Sequence, residues 1–240
     1  MVRLLFIAIG CALHAPLEGG RVMLLAARES FIRRKAEDVI PKQYRRVKYI
    51  LKNTNSGGGS DLTMYPTGIY NSAAWELETV ARLTGSYTKW FLFGAYYSSS
   101  FWTGYGFCGN YGESSRPAHG DKYGALFSSN GHPFVDGDNV FKCTCNASSC
   151  RVVWNGVGTT ASSTRGFNNQ EIFLMGNGVS HSVPYNHGMG ETTIKQGGEE
   201  VAHLWPCVRL ADGAHVFWDS IQRVAREKVG SGTTKVVELS

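Results

Sequence analysis

Charge is scarce in this chain. Asp, Glu, Lys and Arg make up 18% of its 240 residues, and glycine is frequent, with 29 copies. That combination does not suit long helices. No segment beyond the first fifteen residues is apolar enough to cross a bilayer, and those fifteen are too short for an ordinary span. The glycines of Ser56–Ser60 lack the Lys and helix that a phosphate-cradling loop needs. No Ser-His-Asp or Cys-His grouping can be assigned, and there is no internal repeat. The six cysteines are Cys11, Cys108, Cys143, Cys145, Cys150 and Cys207. Three of them form C-x-C-x4-C without a histidine, which is not the paired spacing of a zinc site. A local disulfide involving Cys150, in an oxidising environment, and free thiols on strands both stay open. Cys207 sits among apolar residues and is expected to pack as a small hydrophobe.

What is present points to strands. Hydrophobic residues make up 42% of the chain and aromatics 12%, with 6 Trp and 11 Tyr. Glycines between aromatic runs fit short strands joined by tight turns. The net charge is +5, with much of the excess between Arg21 and Lys52. No stacking or groove-reading motif accompanies it, so no nucleic-acid partner is expected. It reads as a solvated basic face or a contact with an acidic neighbour.

Two regions are expected. Residues 1–40 form an extension. Met1–Ala15 has the look of a short signal peptide, with Arg3 before an apolar stretch, or of a buried structural segment. Met23–Val39 is predicted as an amphipathic helix, with Leu24, Leu25, Phe31, Ile32, Ala36 and Val39 near helical spacing. Such a helix has no core of its own, so it is assigned to attachment or self-association. Residues 41–240 form the β domain. Tyr44–Ile50 alternates as a half-buried strand, and a Gly/Ser/Asn-rich turn at Ser56–Ser60 leads from it to a second strand at Pro66-Thr67-Gly68-Ile69. Trp75–Leu83 alternates cleanly, and Trp90–Tyr97 is continuous enough for a central strand. Phe101–Cys108 pairs with it across a Ser98–Ser100 turn. Further strands are expected at 123–127, 139–145, 151–154, 171–175, 191–195, 201–210, 214–218 and 222–226. About a dozen short strands argue for an antiparallel sandwich, a jelly roll.

Several segments carry a resemblance. Tyr44 to Ile50, Pro66-Thr67-Gly68-Ile69, Phe93-Gly94-Ala95, Ile172 to Asn177, Trp205-Pro206-Cys207 and Gly230-Ser231-Gly232-Thr233 occur in order. Together they resemble the concanavalin-A-like, laminin-G-like jelly-roll domains of phage tail, baseplate and prophage surface proteins. The resemblance covers residues 44–238. It departs at 53–61, which is Gly/Ser-rich, and at Val216–Trp218. It implies a non-enzymatic virion structural protein located in the virion, displaying a jelly roll that adheres to host-surface polysaccharide. Its partners would then be other virion proteins, or copies of itself through Met23–Val39. The alternatives are a secreted or cell-surface lectin-like module of a bacterium, and a glycoside hydrolase.

A retaining hydrolase needs two carboxylates about 5–5.5 Å apart. Glu76 and Glu78 supply two on one strand, but Val80 and Ala81 stand where the further Glu belongs, so no catalytic residue is assigned. Tyr96, Tyr97, Phe101, Trp102 and Tyr105 cluster on one hairpin and are the candidate ligand-binding rings, since an apolar ring face stacks on a sugar. No cofactor is expected, although Asp136 and Asp138 offer oxygens that suit Ca²⁺. His181, Tyr185, Asn186 and His187 share a Gly/Pro loop, where two histidines find no third ligand and a surface loop is expected.

Overall fold

A computed structural model describes residues 39–53, 62–83, 90–97, 104–110, 114–125, 127, 137–179, 182–183 and 185–239. The helix expected over Met23–Val39 lies outside these residues except for Val39, as do Met1–Ala15 and the Ser98–Ser100 turn. Ile40–Ser240 forms one compact unit.

Among the described residues, seventeen strands build two sheets. The larger holds β1 (Tyr44–Arg46), β2 (Tyr49–Lys52), β4 (Trp75–Leu83), β9 (Gly137–Cys145), β10 (Ser149–Trp154) and β11 (Val157–Ser162). It continues through β13 (Gly188–Gln196), β14 (Glu199–Arg209), β15 (His215–Asp219), β16 (Val224–Arg226) and β17 (Thr234–Val237). The smaller holds β3 (Tyr65–Tyr70), β5 (Trp90–Tyr96), β6 (Gly104–Asn110), β7 (Ser114–Gly120), β8 (Lys122–Tyr123) and β12 (Glu171–Leu174). Their orders are β11-β10-β9-β4-β13-β14-β15-β16 and β3-β12-β5-β6-β7-β8. All pairings among these strands are antiparallel.

The sheets meet face to face over an aromatic core. Phe107 of the smaller sheet lies 4.9 Å from Phe141 and 5.5 Å from Trp154 of the larger, ring centre to ring centre. Phe141 and Trp154 stack at 5.3 Å. Tyr65 meets Phe217 edge-on at 4.9 Å. Such offset and edge-to-face pairs add to the large area that each ring removes from water. The inward residues of β4 are Trp75, Leu77, Thr79, Ala81 and Leu83, all buried, with the period of two expected of a sheet that has one wet face.

Two elements differ from expectation. Tyr44–Ile50 is not one strand. It breaks at Val47, whose N–H donates to Pro206 O, so that β1 lies along β14 while β2 inserts between β13 and β17. Tyr49, Ile50, Leu51 and Lys52 are consequently all buried. Pro66-Thr67-Gly68-Ile69 is strand, as expected, and forms the body of β3, kinked at Gly68 where the register with β12 shifts. The strand expected at 123–127 shrinks to β8 and one bridge, Ser115 to Phe127.

Gly68 has φ +74, and a Cβ there would meet the Arg226 guanidinium. Its N–H donates to Glu171 Oε1 at 2.6 Å. β16 and β3, edge strands of different sheets, are tied at this point. Gly68→Ala is expected to cost roughly 1–3 kcal/mol, since the backbone is left-handed and the guanidinium must move. A urea midpoint unchanged from wild type would show that the guanidinium does not seat there.

Candidate ligand-binding end

Part of the expected aromatic patch lies at one end of the sandwich, where β5 ends and 163–170 connects β11 to β12. That connection is held by buried polar side chains. Trp75 is fully buried, so its indole N–H needs an acceptor. It donates to Asn71 Oδ1 at 2.9 Å. Asn71, also buried, donates through Nδ2 to Asn168 Oδ1 at 3.0 Å. The Asn71 backbone pairs with both Gln170 and Asn169, the latter at φ +54. Asn168 in turn donates to Tyr96 O. At the other end of the connection, buried His119 contacts Ser163 Oγ at 3.1 Å and Asn146 O at 3.0 Å. Ser163 Oγ also accepts the Arg165 N–H. A connection without regular structure is thereby fixed in position.

Fixing it places Arg165. Its guanidinium lies 5.6 Å from the Tyr97 ring centre and 3.4 Å from Asp121 Oδ2. Gly120, at φ +62, leaves room for the Arg165 side chain beside it. The hydrogen bond to Asp121 raises the Arg165 guanidinium above its ordinary range. Tyr97, Arg165 and Asp121 together present a ring face, a fork of donors and a pair of acceptor oxygens. Those are the groups that recognise a hydroxyl-rich molecule with apolar ring faces.

The expected rings divide. Tyr96 and Tyr97 are half-buried at this end. Tyr105 is not a platform. It is completely buried, packs edge-on against Tyr97 at 6.0 Å, and donates its hydroxyl to Gly166 O. Burial raises its phenol to about 12. Phe101 and Trp102 lie outside the described residues.

The remaining candidates lie elsewhere. Glu76 and Glu78 share Lys142, whose Nζ is 3.8 Å from Glu76 Oε2 and 2.7 Å from Glu78 Oε1. They form part of the polar outer face of β4 and β9. Asp138 is exposed and pairs with Lys48 at 3.1 Å, while Asp136 lies outside the described residues. His187 is no surface-loop residue. It is 1% exposed, 5.4 Å from the Trp90 ring centre, and hydrogen-bonded through Nδ1 to Tyr185 O. His181 lies outside the described residues. Among the described residues no cluster of three His, Cys, Asp or Glu side chains is arranged for a metal ion. No helix of the described residues is long and apolar enough to cross a membrane.

A second aromatic surface is closed by its neighbours. On the outer face of β14, Trp205 packs against the Arg46 guanidinium at 4.4 Å and the His203 ring at 4.4 Å. His203 joins Glu191 and Glu200, and Arg46 joins Glu191. The indole is 4% exposed, which leaves no free face for stacking.

Arg165, Asp121, Asn168 and Asn71 were not singled out from sequence. Asn168-Asn169 before a strand is a turn signal, and a buried Trp asks for an acceptor, but neither says which residues converge. No protein-family model matches the chain, and no curated protein matches it. The fold and this end define a two-sheet antiparallel β domain with an aromatic and charged patch on a fixed connection.

Proposed function

We propose that this is a non-enzymatic virion structural protein whose jelly-roll domain adheres to host-surface polysaccharide through Tyr96, Tyr97, Arg165 and Asp121. The observation that carries this reading is the patch itself. A half-buried ring, a guanidinium and a carboxylate converge on a connection held by buried Asn71 and His119. A prearranged patch loses little freedom on binding, which suits weak, repeated contacts with a glycan. The pairing of Glu76 and Glu78 with Lys142 supports adhesion over hydrolysis. In this reading residues 1–40 attach the domain to other virion proteins or to its own copies.

The order of the motifs and the two antiparallel sheets support the concanavalin-A-like, laminin-G-like assignment of the jelly roll. A glycan array on the full chain tests the adhesion. Arg165→Ala is expected to weaken the binding about tenfold, the loss of a hydrogen bond to a charged group. Tyr97→Ala should weaken it about threefold or more. Binding by both variants equal to wild type would remove this end as the site.

A further inference from the structure

Three thiols that the ligand-binding reading does not use converge inside the β9–β10 hairpin. Asn146 N donates to Ser149 O at 2.8 Å, closing the turn, and Asn155 N donates to Val140 O at the far end of the same ladder. Hydrogen-bonded and non-hydrogen-bonded pairs alternate between these two points. Cys145 and Cys150, directly opposite each other, therefore occupy a non-hydrogen-bonded pair. In such pairs the Cα atoms approach to about 4.5 Å, within the range that a disulfide spans, about 4.4–6.8 Å. Cys143 lies two residues along β9 on the same face, and its Sγ is 3.4 Å from Cys150 Sγ. All three side chains are fully buried in the core between the sheets.

We propose that Cys150 is the shared partner of a single disulfide, formed with Cys145 across the hairpin and exchangeable onto Cys143. The oxidant is a small disulfide of the oxidised-glutathione class. The Cys150 thiolate attacks one of its sulfurs and expels one small thiolate. The Cys145 thiolate then attacks the Cys150 sulfur of the mixed disulfide and expels the second. The two protein thiols give up two protons and two electrons, which leave as two small thiols. Exchange needs no further oxidant, because the Cys143 thiolate attacks the Cys150 sulfur and Cys145 departs.

Timing follows from burial. Once the smaller sheet covers the hairpin, the sulfurs are out of reach of a dissolved oxidant, so the bond forms in the open hairpin and is then sealed. The folded arrangement agrees with Cys150 as the common centre, opposite Cys145 and 3.4 Å from Cys143 Sγ. Burial raises the Cys143 thiol. The hydrogen bond to Cys150, and then burial, raise Cys145. The hydrogen bonds it accepts from both hold the Cys150 thiol below the usual range. Of the other described cysteines, Cys108 on β6 contacts Arg116 O at 3.5 Å, and Cys207 lies on β14. The inference is independent of the ligand-binding reading.

The test is to refold the full chain in a buffer of reduced and oxidised glutathione. It is then unfolded, alkylated without reductant and mapped by peptide mass. One disulfide per chain is expected, joining Cys150 to Cys145 or Cys143, with Cys11, Cys108 and Cys207 alkylated. Cys145→Ser should retain a bond, now Cys143–Cys150, and Cys150→Ser should retain none. Six alkylated cysteines in wild type would overturn the proposal. So would a bond that persists in Cys150→Ser, or one that joins any other pair. The wild-type map decides the matter even where a variant fails to refold.

Discussion

Asp219→Ala is expected to destabilise the domain by about 3–5 kcal/mol, read as a lowered urea midpoint in tryptophan fluorescence. The carboxylate ends β15 and is completely buried. Its Oδ1 accepts the backbone N–H of Ile221 at 3.1 Å, Gln222 at 3.2 Å and His203 at 3.4 Å. Its Oδ2 accepts Arg226 Nη2 at 3.1 Å. Alanine strips an acceptor from three amides and leaves a largely buried guanidinium without its counter-charge. Asp219→Asn keeps an oxygen for the amides and loses the charge, so it is expected to cost clearly less. Equal losses in the two variants would mean that the ion pair, and not the amide hub, dominates. A loss below 1 kcal/mol in Asp219→Ala would contradict the buried hub altogether. Natural domains hold only about 5–15 kcal/mol in reserve, so the full effect approaches unfolding.

Acidification should expose His187. Burial lowers its imidazole from 6.5 to about 4. Between those values the unfolded chain takes up a proton that the folded chain refuses, so unfolding gains and stability falls with pH. The sign follows from the lowered value. The contribution is fully present above pH 6.5 and is lost progressively as pH falls through about 4. The shift corresponds to about 3 kcal/mol over the window. His187→Gln removes the titration. Unfolding free energies at pH 7.5 and pH 4 should therefore differ less in the variant than in wild type. Parallel pH profiles for the two proteins would refute the assignment. Subtracting the variant cancels the carboxylates that titrate over the same range.

Where one face of a strand is wet, the sequence displayed it. Trp75–Leu83 was read with the bounds it has, because each buried residue alternates with one that reaches water. Trp90–Tyr97 was read as central, and the strand formed there, Trp90–Tyr96, lies between β12 and β6. The signal failed where glycine or proline interrupts the alternation. Ser114–Gly120 contains Pro117 and only one apolar side chain besides it, and was missed as β7. Val157–Ser162 is a largely polar edge strand, missed as β11. Tyr105 was grouped with the candidate binding rings because Gly104 and Gly106 on either side show no face of their own. Its inward direction is set by pairing with β5 and β7. Of the candidate site, Tyr96 and Tyr97 were legible. Arg165 and Asp121 were not, since 44 residues separate them and hydrogen bonds with Asn71, Tyr96, Tyr105 and His119 bring the connection into place.

The interior position of the opening strands sets an order of events. β2 lies between β13 and β17, and Tyr44 of β1 faces Arg209 of β14. During synthesis from the N-terminus, the first strands must wait for most of the domain to be made before their neighbours exist. Long-range closure of this kind is slow. Through that interval Tyr49-Ile50-Leu51, buried in the finished sheet, is a bare strand open to pairing with another nascent chain. The β9–β10 and β5–β6 hairpins, whose partners are adjacent in sequence, can assemble in the meantime and serve as the template. The domain therefore completes itself from its middle outward, and its beginning is among the last parts to be fitted.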